Sequence, residues 1–315
     1  MTAANLTNAA ELSRAGAPRR APRDVLRDVI SLLKPRITLM VVITAAGGMW
    51  LAPERIPAFR AVVMLLTTSA VVAAANALNC WLERDTDRLM RRTRLRPLPD
   101  GRLAPRWALA LGLGLGVVSV PLLTLLVNPL TGLLGAIALV SYVAVYTPMK
   151  RHSSTALLVG SVPGALPPLM GWTAATGRMD APGLALFAVL FFWQVPHFLA
   201  IASFRREDYA QAGLKTLLEE RGIGVARAQA IVYAGLTFVS SLLPFVYRVA
   251  GPVYLATAVV LGLAYLGAAV RPTAPEGLEE DARREAENGW ARKLFFVSLI
   301  YLTVLFAVLM LDAQP

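Results

Sequence analysis

Residues 61–99 read AVVMLLTTSAVVAAANALNCWLERDTDRLMRRTRLRPLP. Residues 61–78 carry no charge, whereas residues 79–99 hold Asn79, Glu83, Asp85, Asp87 and six arginines. An apolar run of this length suits one helical crossing of a bilayer, which takes about 20 residues. An ionised side chain near the bilayer centre costs about 2.5–3.5 kcal/mol on insertion scales. The charges therefore mark where this helix leaves the membrane, and their crowding there requires an explanation.

The surrounding sequence repeats the apolar pattern. The chain has 315 residues, 56% hydrophobic and 16% charged, an apolar share above that of ordinary globular domains. Apolar segments fall at 37–52, 61–82, 107–127, 130–147, 155–175, 183–203, 226–247, 251–270 and 293–311. The expected fold is all-α: a polytopic membrane protein built as a nine-transmembrane-helix bundle. Residues 29–312 are expected to form one membrane domain, preceded by a disordered cytoplasmic tail over 1–28. That tail is rich in Ala, Asn and Arg and lacks the apolar core of a signal peptide. Its arginines suit anionic headgroups. Asn128-Pro129 and Gly251-Pro252 break adjacent apolar runs and predict tight hairpins. The stretch LLVGSVPGALPPLMGW (157–172) is a breaker-rich segment of the kind membrane helices tolerate beside neighbours or a cavity.

The net charge of +11 is a topology signal rather than a nucleic-acid footprint. Of 31 lysines and arginines, all but Arg55, Arg60, Arg178 and Arg248 fall before residue 37 or in the loops 83–106, 148–154, 204–227 and 271–293. Positive loops stay inside. The N-terminus is then cytoplasmic, the C-terminus outside after nine crossings, and loop chemistry faces the cytoplasm. The single cysteine, Cys80, excludes an intramolecular disulfide and a cysteine-based zinc site.

Asn79, Glu83 and Asp87 recur at i, i+4 and i+8, which keeps them on one helical face with a drift of about 80°. Asn76 extends that stripe inward, and Asp85 points off it. Two carboxylates and an amide oxygen suit Mg²⁺, which takes few protein oxygens and completes its shell with water and phosphate. Arg88, Arg91, Arg92, Arg94 and Arg96 follow, and guanidinium forks bind phosphate. The spacing alone is equally compatible with a solvated loop of paired charges.

The same residues carry a family resemblance. Asn79, Glu83, Asp87, then Arg92-Thr93, Arg96, Pro97 and Leu98 resemble the first signature of UbiA-type intramembrane prenyltransferases, N-x3-[DE]-x3-D followed by R-T-x-x-R-P-L. KPRIT (34–38), YTPMKR with the 157–172 stretch, and FFWQVPHFLAIASFRREDYAQAGLKTL (191–217) are similar to the branch that farnesylates haem. The likeness spans roughly residues 30–310.

The resemblance implies a UbiA prenyltransferase-type bundle in the bacterial inner membrane, with a cavity open to the cytoplasm and to lipid. It implies that farnesyl diphosphate alkylates a vinyl group of haem B, that water adds, and that haem O and diphosphate result. Mg²⁺ would be the cofactor and haem B a substrate. A haem A synthase or a terminal-oxidase assembly partner would receive the product, and nucleic acid has no part.

In residue terms, Asn79, Glu83 and Asp87 would hold the metal with help from Asp208. Arg92, Arg96, Lys150 and Arg151 would hold the diphosphate, with Lys34 and Arg36 as weaker candidates. Tyr146, Trp193 and Phe198 would shield the allylic cation, since aromatic faces stabilise cations. His197, a histidine within a span, would ligate haem iron or handle a proton. The sequence departs from the family at the second motif, D-x3-D before Gly-x-Lys. Aligned on Gly213-Leu214-Lys215, the positions are Arg205 and Tyr209, and the acids are Glu207 and Asp208, which leaves a second metal open. Two rivals stand beside this reading: the same fold with another acceptor, such as an aromatic acid or chlorin, and a haem-handling transporter without chemistry. Charges gathered at helix ends rather than at the midplane favour a reaction site over transport.

Overall fold

A computed structural model describes residues 21–272, 277 and 279–314. Every regular element among them is helical, and one β-bridge joins Ala250 to Ala313. In chain order the helices are α1 (Pro22–Leu32), α2 (Pro35–Trp50), α3 (Ala58–Asp87), α4 (Pro105–Leu122), α5 (Pro129–Val140), α6 (Ala156–Thr176), α7 (Ala181–Phe204), α8 (Arg206–Gln211), α9 (Leu217–Val246), α10 (Pro252–Val270) and α11 (Glu280–Leu311). Two π-helical stretches, Leu123–Val127 and Ser141–Tyr146, prolong α4 and α5, the second running into a three-residue helical turn, Thr147–Met149.

Among the described residues, seven helices are long and apolar enough to cross a membrane. The pair α1 and α2, bent by 46° at Leu33-Lys34, makes up to eight. The nine expected segments are all helical, but α2 and α6 do not qualify alone. α2 has only 16 residues, and α6 is diluted by Pro163, Pro167, Pro168 and its glycines. Residues 1–20 of the expected tail lie outside the described residues. Residues 22–28 fall in α1, which Pro22 opens at the first helical position where its missing N–H costs nothing.

The predicted hairpins form. Asn128 caps α5, its Oδ1 accepting from Thr131 N at 2.8 Å while its Nδ2 donates to Thr173 O at 2.8 Å. Residues 247–251 turn α9 into α10. Small residues let α2 and α6 touch backbone to backbone. A Cβ on Gly48 would meet Pro168 O at 1.9 Å, and one on Gly171 would meet Ala45 O at 1.9 Å.

One core joins α7, α9, α10 and α11 around the fully buried Tyr254, Tyr265 and Tyr301. Each hydroxyl donates to a carbonyl: Ser241 at 2.7 Å, Trp193 at 3.2 Å and Thr237 at 3.5 Å. Lipid offers no water to satisfy them otherwise. A second core joins α3, α4, α5 and α6 through Met64, Val71, Leu123 and Met170. A third, smaller cluster, with Leu32, Cys80, Leu98, Leu103 and Ala108, pins the arginine-rich turns after α3 against the bundle. Those turns are therefore a packed cap with buried Met90, Leu98 and Leu103, not a solvated loop.

Candidate active site

α3 remains helical to Asp87, so Asn79, Glu83 and Asp87 share a face as their spacing predicts. Three cations from other segments meet that face. Lys34 Nζ donates to Asn79 Oδ1 at 3.1 Å. Lys150 Nζ pairs with Glu83 Oε1 at 2.8 Å. An Arg96 guanidinium nitrogen pairs with Asp87 Oδ2 at 2.7 Å. Arg151 donates to Thr86 Oγ1, the residue before Asp87, and Thr147 accepts from Asn79 Nδ2 at 3.2 Å. Asp87 is 1% exposed.

Local structure aims each cation. Lys34 sits at the α1–α2 break with φ 47°, a left-handed conformation that costs a non-glycine residue energy and recurs at functional sites. The strain turns its side chain from the start of α2 into the bundle. Arg96 is carried by the packed cap, where Thr93 Oγ1 donates to Asp87 O at 2.8 Å and ties the cap to the end of α3. Lys150 follows α5, and its carbonyl accepts from Lys215 N at 2.9 Å, which docks the α8–α9 connection onto the site. Its ammonium stands 4.3 Å from the Tyr146 ring centroid. Burial works against that charge, but Tyr146 and Glu83 more than reverse this and hold Lys150 above its usual range.

Lys34 and Arg96 also line a cavity of about 520 Å³ that α1 borders with Asp24, Arg27, Asp28 and Ser31. The two site cations are thus reachable from outside the bundle.

The donors fit Mg²⁺ by one direct observation: Asp87 Oδ1 is buried and has no hydrogen-bond partner. No group of three or more His, Cys, Asp or Glu able to hold a metal exists among the described residues. The donors this face offers are two carboxylates and an amide oxygen, and Mg²⁺ takes few protein oxygens and the rest from phosphate and water. Asp208 stands apart, in an ion pair with Arg205 at 3.6 Å.

The remaining candidates divide. Arg92 is exposed on the cap and acts electrostatically on Tyr209, whose hydroxyl burial pushes above the ordinary range. Arg36 is exposed in the first turn of α2. On α7, His197 is sandwiched between Trp193 and Phe295, with ring centroids 4.7 and 4.9 Å away. Its Nδ1 lies 2.7 Å from Ser298 Oγ. Trp193 Nε1 donates to Ser298 O at 2.8 Å. Phe198 meets His197 edge-on at 5.4 Å and is 37% exposed.

Sequence reasoning missed Thr86, Thr147 and Ser298. Thr86 and Thr147 flank quoted motif residues and were within reach. Ser298 lies in an apolar helix with nothing to single it out.

The UbiA prenyltransferase family model matches residues 41–300. The chain is 53% identical to a protoheme IX farnesyltransferase of Myxococcus xanthus, covering 92% of this chain and 96% of that protein. It is 51% identical to one from an Anaeromyxobacter species, covering 91% and 94%. Among solved structures, digeranylgeranylglyceryl phosphate synthase is similar with TM-score 0.76 at 16% identity, covering 91% of this chain and 98% of that one. A UbiA homologue from Archaeoglobus fulgidus bound to GPP and Mg²⁺ is similar with TM-score 0.65 at 18% identity, covering 90% and 99%.

Proposed function

The chain belongs to the UbiA prenyltransferase family, and on that premise we propose that it transfers the farnesyl group of farnesyl diphosphate to a vinyl group of haem B. Water adds, and haem O and diphosphate are the products. The relatives named protoheme IX farnesyltransferase match nearly end to end. The structural observation that carries the reading is the acidic face of α3, met by Lys34, Arg96 and Lys150 and keeping one unpartnered carboxylate oxygen.

The allylic C1–O bond breaks as negative charge grows on the departing diphosphate. Lys34, Arg96, Lys150 and Arg151 would receive that charge, and preorganised cations stabilise it strongly. Bound at Asn79, Glu83 and Asp87, Mg²⁺ supplies Lewis-acid neutralisation of the diphosphate. Asp208 is assigned the helper role from the α7–α8 connection, and Arg92 and Arg36 outer diphosphate contacts. C1 then bonds the terminal vinyl carbon, and the resulting cation beside the macrocycle takes hydroxide from water with release of a proton. Tyr146, Trp193 and Phe198 supply aromatic faces for the cationic species. His197, oriented through Nδ1 by Ser298, keeps Nε2 for haem iron or for the proton of the added water.

We assign α2 and α6 as crossings too, which completes nine. Positive loops then place the N-terminus and the active site on the cytoplasmic face of the inner membrane and the C-terminus outside. Haem O would pass to a haem A synthase or a terminal-oxidase assembly partner.

The test is to incubate purified protein with farnesyl diphosphate, Mg²⁺ and either haem B or 4-hydroxybenzoate. Haem O, identified by mass, is expected only with haem B. Diphosphate release with 4-hydroxybenzoate and no haem product would move the chain to another acceptor class.

A further inference from the structure

We propose that Thr147 is a positioning residue: its hydroxyl fixes which end of the Asn79 amide faces the metal. The inference rests on the prenyl-transfer reading of the site.

The argument is one of donors and acceptors. Asn79 and Thr147 are both buried, 2% and 3% exposed. Thr147 Oγ1 lies 2.8 Å from Tyr142 O. A hydroxyl has one proton and a carbonyl can only accept, so that proton is spent on Tyr142. Toward Asn79, at 3.2 Å, Thr147 can then offer only a lone pair, and it must be met by Nδ2. At the other end of the amide, Lys34 Nζ can only donate and meets Oδ1 at 3.1 Å. Two partners of opposite kind therefore agree on one orientation. Reversing the amide would set donor against donor at Lys34 and acceptor against acceptor at Thr147.

The orientation matters because an amide ligates a cation through its oxygen, while its nitrogen carries two protons and repels it. Lys34 is assigned to the diphosphate and has a second use. Thr147 has none, so its hold on Nδ2 does not depend on what occupies the site.

The backbone explains why Thr147 can do this. The π-helical stretch Ser141–Tyr146 brings the Thr147 N–H as well as its hydroxyl to the Tyr142 carbonyl, and π-helical turns recur at functional sites. α6 seats that stretch through Gly160, where a Cβ would meet the Tyr146 ring at 2.5 Å.

Mn²⁺ is the probe, its bound fraction read by electron paramagnetic resonance on purified protein with inorganic diphosphate, against mixtures without protein. Haem B binding, followed by the Soret band, reports folding. Thr147→Val keeps the shape and loses the hydroxyl. It is expected to bind Mn²⁺ about 10–100-fold more weakly, the range for losing a group that orients a metal ligand. Thr147→Ser restores the hydroxyl and should bind Mn²⁺ close to wild type. Asn79→Ala should also weaken binding, and Asn79→Ala/Thr147→Val should equal Asn79→Ala, because no amide is left to orient. Wild-type affinity in Thr147→Val overturns the proposal and leaves the metal site standing. So does a Thr147→Ser protein as weak as Thr147→Val, or a double variant that adds the two losses, since either result would mean packing rather than orientation. If Thr147→Val does not fold, Thr147→Cys, whose thiol is a poor acceptor, takes its place, and wild-type affinity there overturns the proposal equally. If wild-type protein binds no Mn²⁺, or Asn79→Ala binds it unchanged, the ligand assignment is wrong and the proposal falls with it.

Discussion

His197 and Ser298 are 101 residues apart in sequence and 2.7 Å apart in space. Only His197 could be picked out beforehand, because a histidine within an apolar run demands a reason. Ser298 acquires its role from the register of α11 against α7, which no local pattern records. The proposed use of Nε2 makes a specific demand on that pair. His197→Ala should weaken haem B binding and alter its Soret band, whereas Ser298→Ala should lower affinity less and leave the band's position close to wild type. An unchanged spectrum and affinity in His197→Ala would remove the residue from haem binding. The acidic stripe was legible for the opposite reason: Asn79, Glu83 and Asp87 lie on one helix, and helical period alone brings them together. Their partners Lys34, Arg96 and Lys150 come from three other segments, so the resemblance could nominate them but not pair them. Arg36, nominated with them, is an exposed residue of the first turn of α2.

At the scale of the element, apolar runs located the helices but not their lengths. α9 begins at Leu217 rather than near 226, and α11 at Glu280 rather than near 293, because polar helical turns continue beyond the apolar part. α9 opens with a Thr216–Glu219 capping box and bends at Gly222, where φ is 80°. The close approach of α2 to α6 was hidden in sequence, since Gly48 and Gly171 look like any membrane glycines until the helices meet. Gly48→Ala places a methyl group against Pro168 O and should cost about 1–3 kcal/mol of stability, as overpacking does, seen as a lower Tm in detergent. Gly235→Ala, where a Cβ meets nothing within 4 Å, should leave Tm unchanged or raise it, because it removes a helix-interior glycine. Equal Tm values for the two variants would mean that the α2–α6 contact does not carry the load described.

For the whole molecule, the long apolar runs pointed to a helical membrane protein, which the described residues form, and charge placement gave an expected orientation. The number of crossings was less secure, because α2 is short and α6 is rich in proline and glycine; their status depends on neighbours rather than on their own hydropathy. Nine crossings require the two termini to lie on opposite sides. A reporter fused to the N-terminus should read as cytoplasmic and one fused to the C-terminus as external. Both on one side would mean that an even number of helices crosses.

The central claim is that the acidic face of α3, with its opposing cations, is where farnesyl diphosphate ionises. The most direct measurement is haem O formation by equal amounts of membrane-inserted wild-type, Glu83→Gln and Asp87→Asn protein, with haem B binding followed alongside by the Soret band. Each variant should retain haem binding and lose turnover by at least about 100-fold, the scale of losing one preorganised charge-stabilising group. Turnover close to wild type in either variant would contradict the account.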